Sequence, residues 1–421
     1  MTAPRPVRAI SRADLTMAIV NGVIGSAIFG MPAQIAALTG VFSPLAHLIA
    51  ALGVLTIVLC FAEVASRFED SGGAYLYSRE AFGRHVGFQA GWLTLWTRVL
   101  SAAANLNVFA SYLSQILPAA GTGVGRSAAI IGVLLVVTGI NLVGVKQASW
   151  AIDVFTIAKL LPLALLVILG LPQVSAGVLG TQTVAEPQWT QAILLLIFAF
   201  GGFEAPLMSA GEAKDARKDS AFALLAALAV IATVYISVQY VTIGIVPNLQ
   251  QEKAPIAAAF SVLWGPAGVV FASFAAMISV WGWATGNGLQ SPRLLYSMAE
   301  RGELPRFFAK VHPRFLTPHV AIVGFSLLVG VLAITGTFEG NAVLSAIVRL
   351  IVYALVCVSL WIFRNSRGPA HFQVPFAIPV SILALGFCLY MLSTRSFAQA
   401  GIILVAMIAG HVLMLTQTRS R

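Results

Sequence analysis

Charge is what this chain has least of. Only 10% of its 421 residues are Asp, Glu, Lys or Arg, against about 25% in a soluble domain. With 59% hydrophobic residues and a mean hydropathy of +0.90, the ordinary soluble class is excluded. Cysteine is scarce too: Cys60, Cys357 and Cys388 lie far apart in apolar segments, without metal spacing, and read as small buried hydrophobes. The six histidines are scattered, with no HExxH or comparable ligand set. No GxxxxGK[ST] phosphate loop occurs, which argues against direct ATP drive, and Gly121-Thr-Gly-Val-Gly125 lacks the preceding strand that a dinucleotide motif needs. No Ser-His-Asp or Cys-His arrangement can be argued, so the chain reads as a non-enzyme that needs no cofactor and holds no metal.

What fills the chain is apolar sequence. About twelve apolar segments occupy the whole length, each near or above the roughly 20 residues that cross a bilayer. The expected class is an all-α polytopic membrane protein, with the longest polar stretches, near 64–85 and 291–318, read as loops. Of the 25 Lys and Arg, 19 fall in tails and loops on one side, three on the other (Arg126, Lys253, Arg395) and three within spans. That asymmetry is the positive-inside signal and predicts cytoplasmic termini in the plasma membrane. The net charge of +10 therefore reports topology and contact with lipid, not a nucleic-acid surface. The basic start at Arg5, Arg8 and Arg12 precedes a run too long for a signal peptide, so it reads as an uncleaved first helix.

Glycine is where two of these segments depart from a plain helix. The first span, 15–39, contains Gly22-Val-Ile-Gly-Ser-Ala-Ile-Phe-Gly30. The sixth, 188–210, contains Phe198-Ala-Phe-Gly-Gly-Phe-Glu204. A helix broken at membrane depth is tolerated only where it lines a cavity or is buried in protein. Two such interruptions five spans apart are the sequence mark of an inverted repeat with a binding site between its halves. The expected organisation is a tail over 1–14, a first repeat over 15–170, an external loop over 171–187, a second repeat over 188–363, peripheral helices over 364–416 and a tail over 417–421.

These residues also resemble a known family. Gly25-Ser-Ala-Ile-Phe-Gly30 is similar to the GSGIFG signature of the amino acid–polyamine–organocation permeases. Three further stretches agree in order and spacing. They are Glu63 through Gly91-Trp92 with Ser71-Gly-Gly-Ala-Tyr-Leu-Tyr77, Gly202-Phe-Glu204 with Gly211-Glu-Ala213, and Arg293-Leu-Leu-Tyr296 through Thr317-Pro318-His319. The likeness covers about residues 15–320; Ala27 departs from it, standing where a second glycine is usual. It implies a leucine-transporter-like 5+5 fold and alternating access for an amino acid or related amine, by proton-coupled symport or exchange, as in sodium-independent members. The alternative cargo on the same fold is a polyamine or cationic amino acid.

The expected site follows from a broken helix. The half-helix beginning near Ser26, with Gly25, Ala27 and Ile28, offers free N–H groups and a positive dipole end to a carboxylate. Carbonyls at Val23 and Ile24, and around Phe198, Ala199 and Phe200 before Gly201, suit an ammonium. The Ser26 hydroxyl either adds a contact or bonds its own helix. Phe198, Phe200 and Phe203 gate the site, line it or simply pack; Trp281, Trp283 and Asn287 are weaker candidates. Lys159 lies deep in the fifth span, where a lipid-facing lysine is costly. It resembles the fifth-span lysine whose ammonium occupies a sodium position, as a proton carrier or a fixed charge. Arg98, Arg349 and Glu204 are the other deep charges. Pairing is the plainest reading for them, and Glu204 is expected to cap or brace the sixth span. If Arg98 faces the cavity, it disfavours cationic substrates and favours neutral or acidic ones, and a neutral amino acid is the favoured cargo.

Overall fold

The computed structural model describes residues 11–69, 72–144, 149–208 and 215–419. Arg5, Arg8, Ser71, Gly211-Glu-Ala213 and Arg421 lie outside them, as does the side chain of Asp153. Among the described residues the chain is helical, with no strand. The helices are α1 Arg12–Val23, α2 Ala27–Thr39, α3 Ser43–Ala65, α4 Gly73–Phe82, α5 Arg84–Leu113, α6 Gly123–Val143, α7 Ser149–Gly170 and α8 Ala176–Leu179. They continue as α9 Trp189–Phe200, α10 Ala216–Ile245, α11 Pro255–Glu300, α12 His319–Thr335, α13 Phe338–Ser366, α14 Ala377–Ser393 and α15 Phe397–Arg419.

The arrangement is apolar outside and polar within. Leu135 and Val136 on α6, Ile382 and Leu383 on α14, and Leu404 and Val405 on α15 are exposed, while Glu63, Lys159, Arg98, Glu204 and Arg349 are buried. A water-soluble chain has the opposite preference. Among the described residues seven helical stretches are long and apolar enough to cross a membrane, and α9, α12 and α14 are shorter apolar helices.

Helix α5 runs through the middle, packed by α11, α12 and α13, while α10 lies against α1 and α3. Small side chains permit the close approach: Ala102, Ala103 and Ala104 on α5 and Ala342 and Ala346 on α13 are buried.

Two stretches expected as loops are partly helical. The 64–85 stretch contains α4, whose Ala74, Tyr75, Tyr77 and Ser78 form a buried face. The eighth span, expected over 258–290, continues as α11 to Glu300, kinked at Gly265. Leu294, Leu295 and Met298 carry it onward by packing into the cluster around Phe88 and Leu95 of α5. A helix satisfies its own backbone groups, so it has no reason to stop where the apolar run ends.

One end of the bundle is tied by ion pairs. Arg12 meets Asp219 at 2.8 Å, Arg364 meets Glu63 at 2.7 Å and Arg79 meets Glu303 at 2.6 Å. Tyr75 adds a hydroxyl bond to Glu303 at 2.9 Å. Burial, with the Glu303 carboxylate beside it, holds the Tyr75 hydroxyl above its usual range and so keeps it a neutral donor.

Candidate functional site

The first break is Ile24, Gly25 and Ser26, between α1 and α2. Each carbonyl it frees finds a side-chain donor. Trp283 Nε1 donates to the Gly22 carbonyl at 2.9 Å, Tyr235 Oη to Val23 at 3.4 Å, Lys159 Nζ to Ile24 at 3.0 Å and Ser279 Oγ to Gly25 at 3.1 Å. The N–H of Ser26 donates to Asn105 Oδ1 at 2.9 Å. Phe29 and Gly30 donate back to the Ser26 carbonyl. That leaves the N–H groups of Ala27 and Ile28 at the start of α2 without a protein acceptor among the described residues. They are the orphan donors of a helix N-terminus.

The second break follows α9 at Phe200. Residues 201–205 are turns and 206–208 one 3-10 turn, so the sixth span does not resume as a regular helix among the described residues. Gly202 has φ +115°, a conformation L side chains rarely adopt, and its N–H donates to its neighbour Glu204 at Oε2, 3.0 Å. A Cβ there would sit 2.5 Å from the Gly22 carbonyl oxygen, so the two breaks touch backbone to backbone. Tyr235 also reaches the Ala199 carbonyl at 3.3 Å, linking α10 to both broken helices.

A narrow chamber lies where the breaks meet. Gly22, Val23, Gly25, Ser26 and Ala27 form one wall; Phe198, Gly201 and Gly202 form another. Helix α5 adds Arg98, Ser101 and Asn105, and Trp283 and Arg349 come from α11 and α13. Its space open to a water-sized sphere is about 20 Å³, room for about one water, so an amino acid enters only when these walls part. Arg349 lies directly over Gly201, where a Cβ would fall 1.4 Å from Nη1. Glu204 lies between the two arginines, with Oε1 3.9 Å from Nη2 of each, and Tyr353 donates to its Oε2 at 2.9 Å. The Ser26 hydroxyl, Arg98 Nη2 and Arg349 Nε and Nη1 are buried without a hydrogen-bond partner.

Of the residues singled out from sequence, Val23, Gly25, Ser26, Ala27, Phe198, Gly201, Arg98, Trp283 and Arg349 line this chamber. Ile24, Ile28, Ala199, Phe200, Phe203, Lys159 and Asn287 do not. The Val23 and Ile24 carbonyls, expected to be free for an ammonium, are engaged: Val23 accepts from the Gly25 N–H and from Tyr235, and Ile24 accepts from Lys159 and keeps only its second lone pair. Phe203 turns away to stack on Tyr353 at 5.1 Å, and Phe200 packs on Tyr235. Asn287 faces a separate crevice with Asn141 and reaches the Arg98 carbonyl at 3.5 Å. Lys159 bonds to Asn21 Oδ1 at 2.7 Å. Glu204 is the brace expected of it. Ser101, Asn105 and Tyr235 were missed. The first two stand three and seven residues after Arg98, one stripe of a helix, which is a signal the sequence carried.

Residues 10–415 match the family described as amino acid permease. The chain belongs to that family. The permease is 26% identical to a serine/threonine exchanger, SteT, of Bacillus subtilis (strain 168), over 89% of this chain and 88% of that one. It is 28% identical to a methylthioribose transporter of the same organism, over 91% and 88%. It is also 28% identical to cationic amino acid transporter 4 of Mus musculus, over 86% of this chain and 60% of the relative. The resemblance read from the glycine motifs is borne out. The permease is an integral membrane protein of a transporter family, and the names of its relatives span neutral, cationic and non-amino-acid cargo.

Proposed function

We propose that this permease is a secondary active carrier of an amino acid, working by alternating access in the plasma membrane with both termini cytoplasmic. The observation that carries the reading is the pair of unpartnered N–H groups of Ala27 and Ile28. They open α2 beside the free Ser26 hydroxyl at the meeting point of two broken helices. That is a carboxylate site made by backbone. The remaining carbonyl lone pairs of the breaks suit an ammonium. Arg98 and Arg349 on the chamber wall disfavour a polyamine or cationic amino acid. We read twelve crossings, counting α1 with α2 as one and omitting α4 and α8, with a 5+5 inverted repeat over 15–170 and 188–363. The contact of the breaks at Gly22 and Gly202 supports this arrangement. Drive comes from exchange or a proton.

The test is reconstitution in liposomes preloaded with amino acids, with and without a pH gradient. Saturable uptake that an internal amino acid accelerates is expected. Flux that rises linearly with concentration and shows no counterflow would overturn the carrier reading.

A further inference from the structure

Two guanidinium groups line the chamber, and one carboxylate, Glu204, stands beside them without lining it. Arg98 and Arg349 are 4% and 3% exposed, and Glu204 is 4% exposed. Among the described residues no Asp or Glu lines the space, and Lys159 is engaged with Asn21 and Ile24 outside it. The local balance is one positive charge in excess, out of contact with water. Such a charge is strongly disfavoured unless it is paired.

The hydrogen bonding tells the same story by a separate route. Glu204 accepts from the Gly202 N–H and Tyr353 through Oε2, and its Oε1, at 3.9 Å, is too far to satisfy either arginine. The Arg349 Nη2 has only a long bond to Ser101 Oγ at 3.4 Å. Three donors, Arg98 Nη2 and Arg349 Nε and Nη1, are left over. Buried unsatisfied donors of this kind are rare and mark a missing acceptor. Nη1 lies against Gly201 in the second break, while Nε points to the same side as Nη2, whose bond to Ser101 is long, and Nε with Nη2 is the fork that grips a carboxylate through two parallel bonds.

We propose that the chamber selects an acidic amino acid. Its α-carboxylate meets the Ala27 and Ile28 N–H groups, and its side-chain carboxylate takes the free donors of Arg349 and Arg98. A zwitterion of no net charge leaves the excess uncompensated; a substrate with a second carboxylate cancels it. The proposal rests on the carrier reading above and adds the substrate class to it.

Glutamate and glutamine have nearly one shape and differ by one charge, so they form the test, with aspartate and asparagine as the shorter pair. In liposomes, each competes with a labelled amino acid that the permease exchanges. Glutamate or aspartate should compete at least about tenfold better than its amide, since a site built around a polar group strongly rejects the analogue lacking it. In Arg349→Met that ratio should fall towards one, whereas a merely structural loss lowers both uptakes alike and leaves the ratio unchanged. If the variant does not fold, the wild-type competition alone decides. Amides that match or beat their acids would overturn the acidic assignment while leaving the carrier intact. Chloride-dependent uptake of glutamine with no preference for glutamate would place the negative charge on an inorganic ion and overturn it equally. If no amino acid is exchanged at all, the carrier reading fails and this one with it.

Discussion

Lys159 shows how a single buried charge can organise a break. Its ammonium lies 2.7 Å from Asn21 Oδ1, 3.0 Å from the Ile24 carbonyl and 3.3 Å from the Asn21 carbonyl, all on the α1 side of the interruption. Three oxygens around one positive centre make the cradle that an alkali ion would otherwise be needed to fill. The lysine supplies that charge covalently, so uptake in liposomes is expected to be the same in sodium and in choline buffer. A steep dependence on sodium would remove this role from Lys159. Replacing it by Met leaves Asn21 and Ile24 with buried acceptors and no donor, at about 1–3 kcal/mol. Lys159→Met should therefore melt earlier and lose most of its transport, measured by thermal unfolding in detergent and by uptake. The lysine was legible in the sequence because a charge at that depth demands a reason. Its partner was not, because Asn21 stands just ahead of Gly22 as an ordinary polar residue, and nothing in the glycine run points to it. Asn287 misled for a related reason: near a span's centre, a rotation of about 100° per residue decides which cavity a side chain meets.

At the scale of elements, the two broken helices approach backbone to backbone at Gly22 and Gly202. Gly202 combines φ +115° with a Gly22 carbonyl oxygen 2.5 Å from where a Cβ would stand. Alanine there meets both the strain of that conformation and a wall that cannot rotate away. Gly202→Ala is expected to cost about 1–3 kcal/mol and to push the sixth-span break off the first, so transport should be lost along with stability. Gly132 on α6 has nothing within 4 Å of its Cβ position, so Gly132→Ala serves as the control and should retain both. Equal melting of the two variants would show that the breaks do not depend on this contact. Glycine is why the breaks could be read without a structure: its lack of a side chain is itself the signal. The wall of α5 could be read only in part. Arg98 stood out as a charge, while Ser101 and Asn105 are ordinary residues in an apolar helix until their shared stripe is noticed. The helical parts of 64–85 and 291–318 were hidden for the converse reason, since polar composition there suggested loops while the buried faces of Tyr75, Tyr77, Leu294 and Leu295 carried the packing.

On the scale of the whole molecule, the chamber is closed differently at its two ends. One end carries the ties Arg12–Asp219, Arg364–Glu63 and Arg79–Glu303. At the other, Phe198 on the chamber wall meets Phe338 edge-to-face at 6.1 Å. Beyond that pair lies a wide cavity of about 940 Å³, whose walls include Thr337, Glu339 and Arg395. A carrier that opens one end at a time must weaken one closure while the other holds. Removing part of either closure should therefore expose the chamber to one side only. Ser101 is a suitable reporter, since it lines the chamber and Ser101→Cys keeps its size; Cys60, Cys357 and Cys388 are buried and give little background. Adding Phe338→Ala should speed modification by a membrane-impermeant thiol reagent applied from the wide-cavity side. Adding Glu303→Gln should speed it from the opposite side in inverted vesicles. Each rate is expected to rise about tenfold, the change given by losing roughly 1.4 kcal/mol of closing free energy, a size typical of one aromatic pair or one net hydrogen bond. Acceleration from both sides by either substitution would mean a continuous pore rather than alternating gates. No acceleration by either would mean that neither the ring pair nor the Glu303 ties hold the chamber shut.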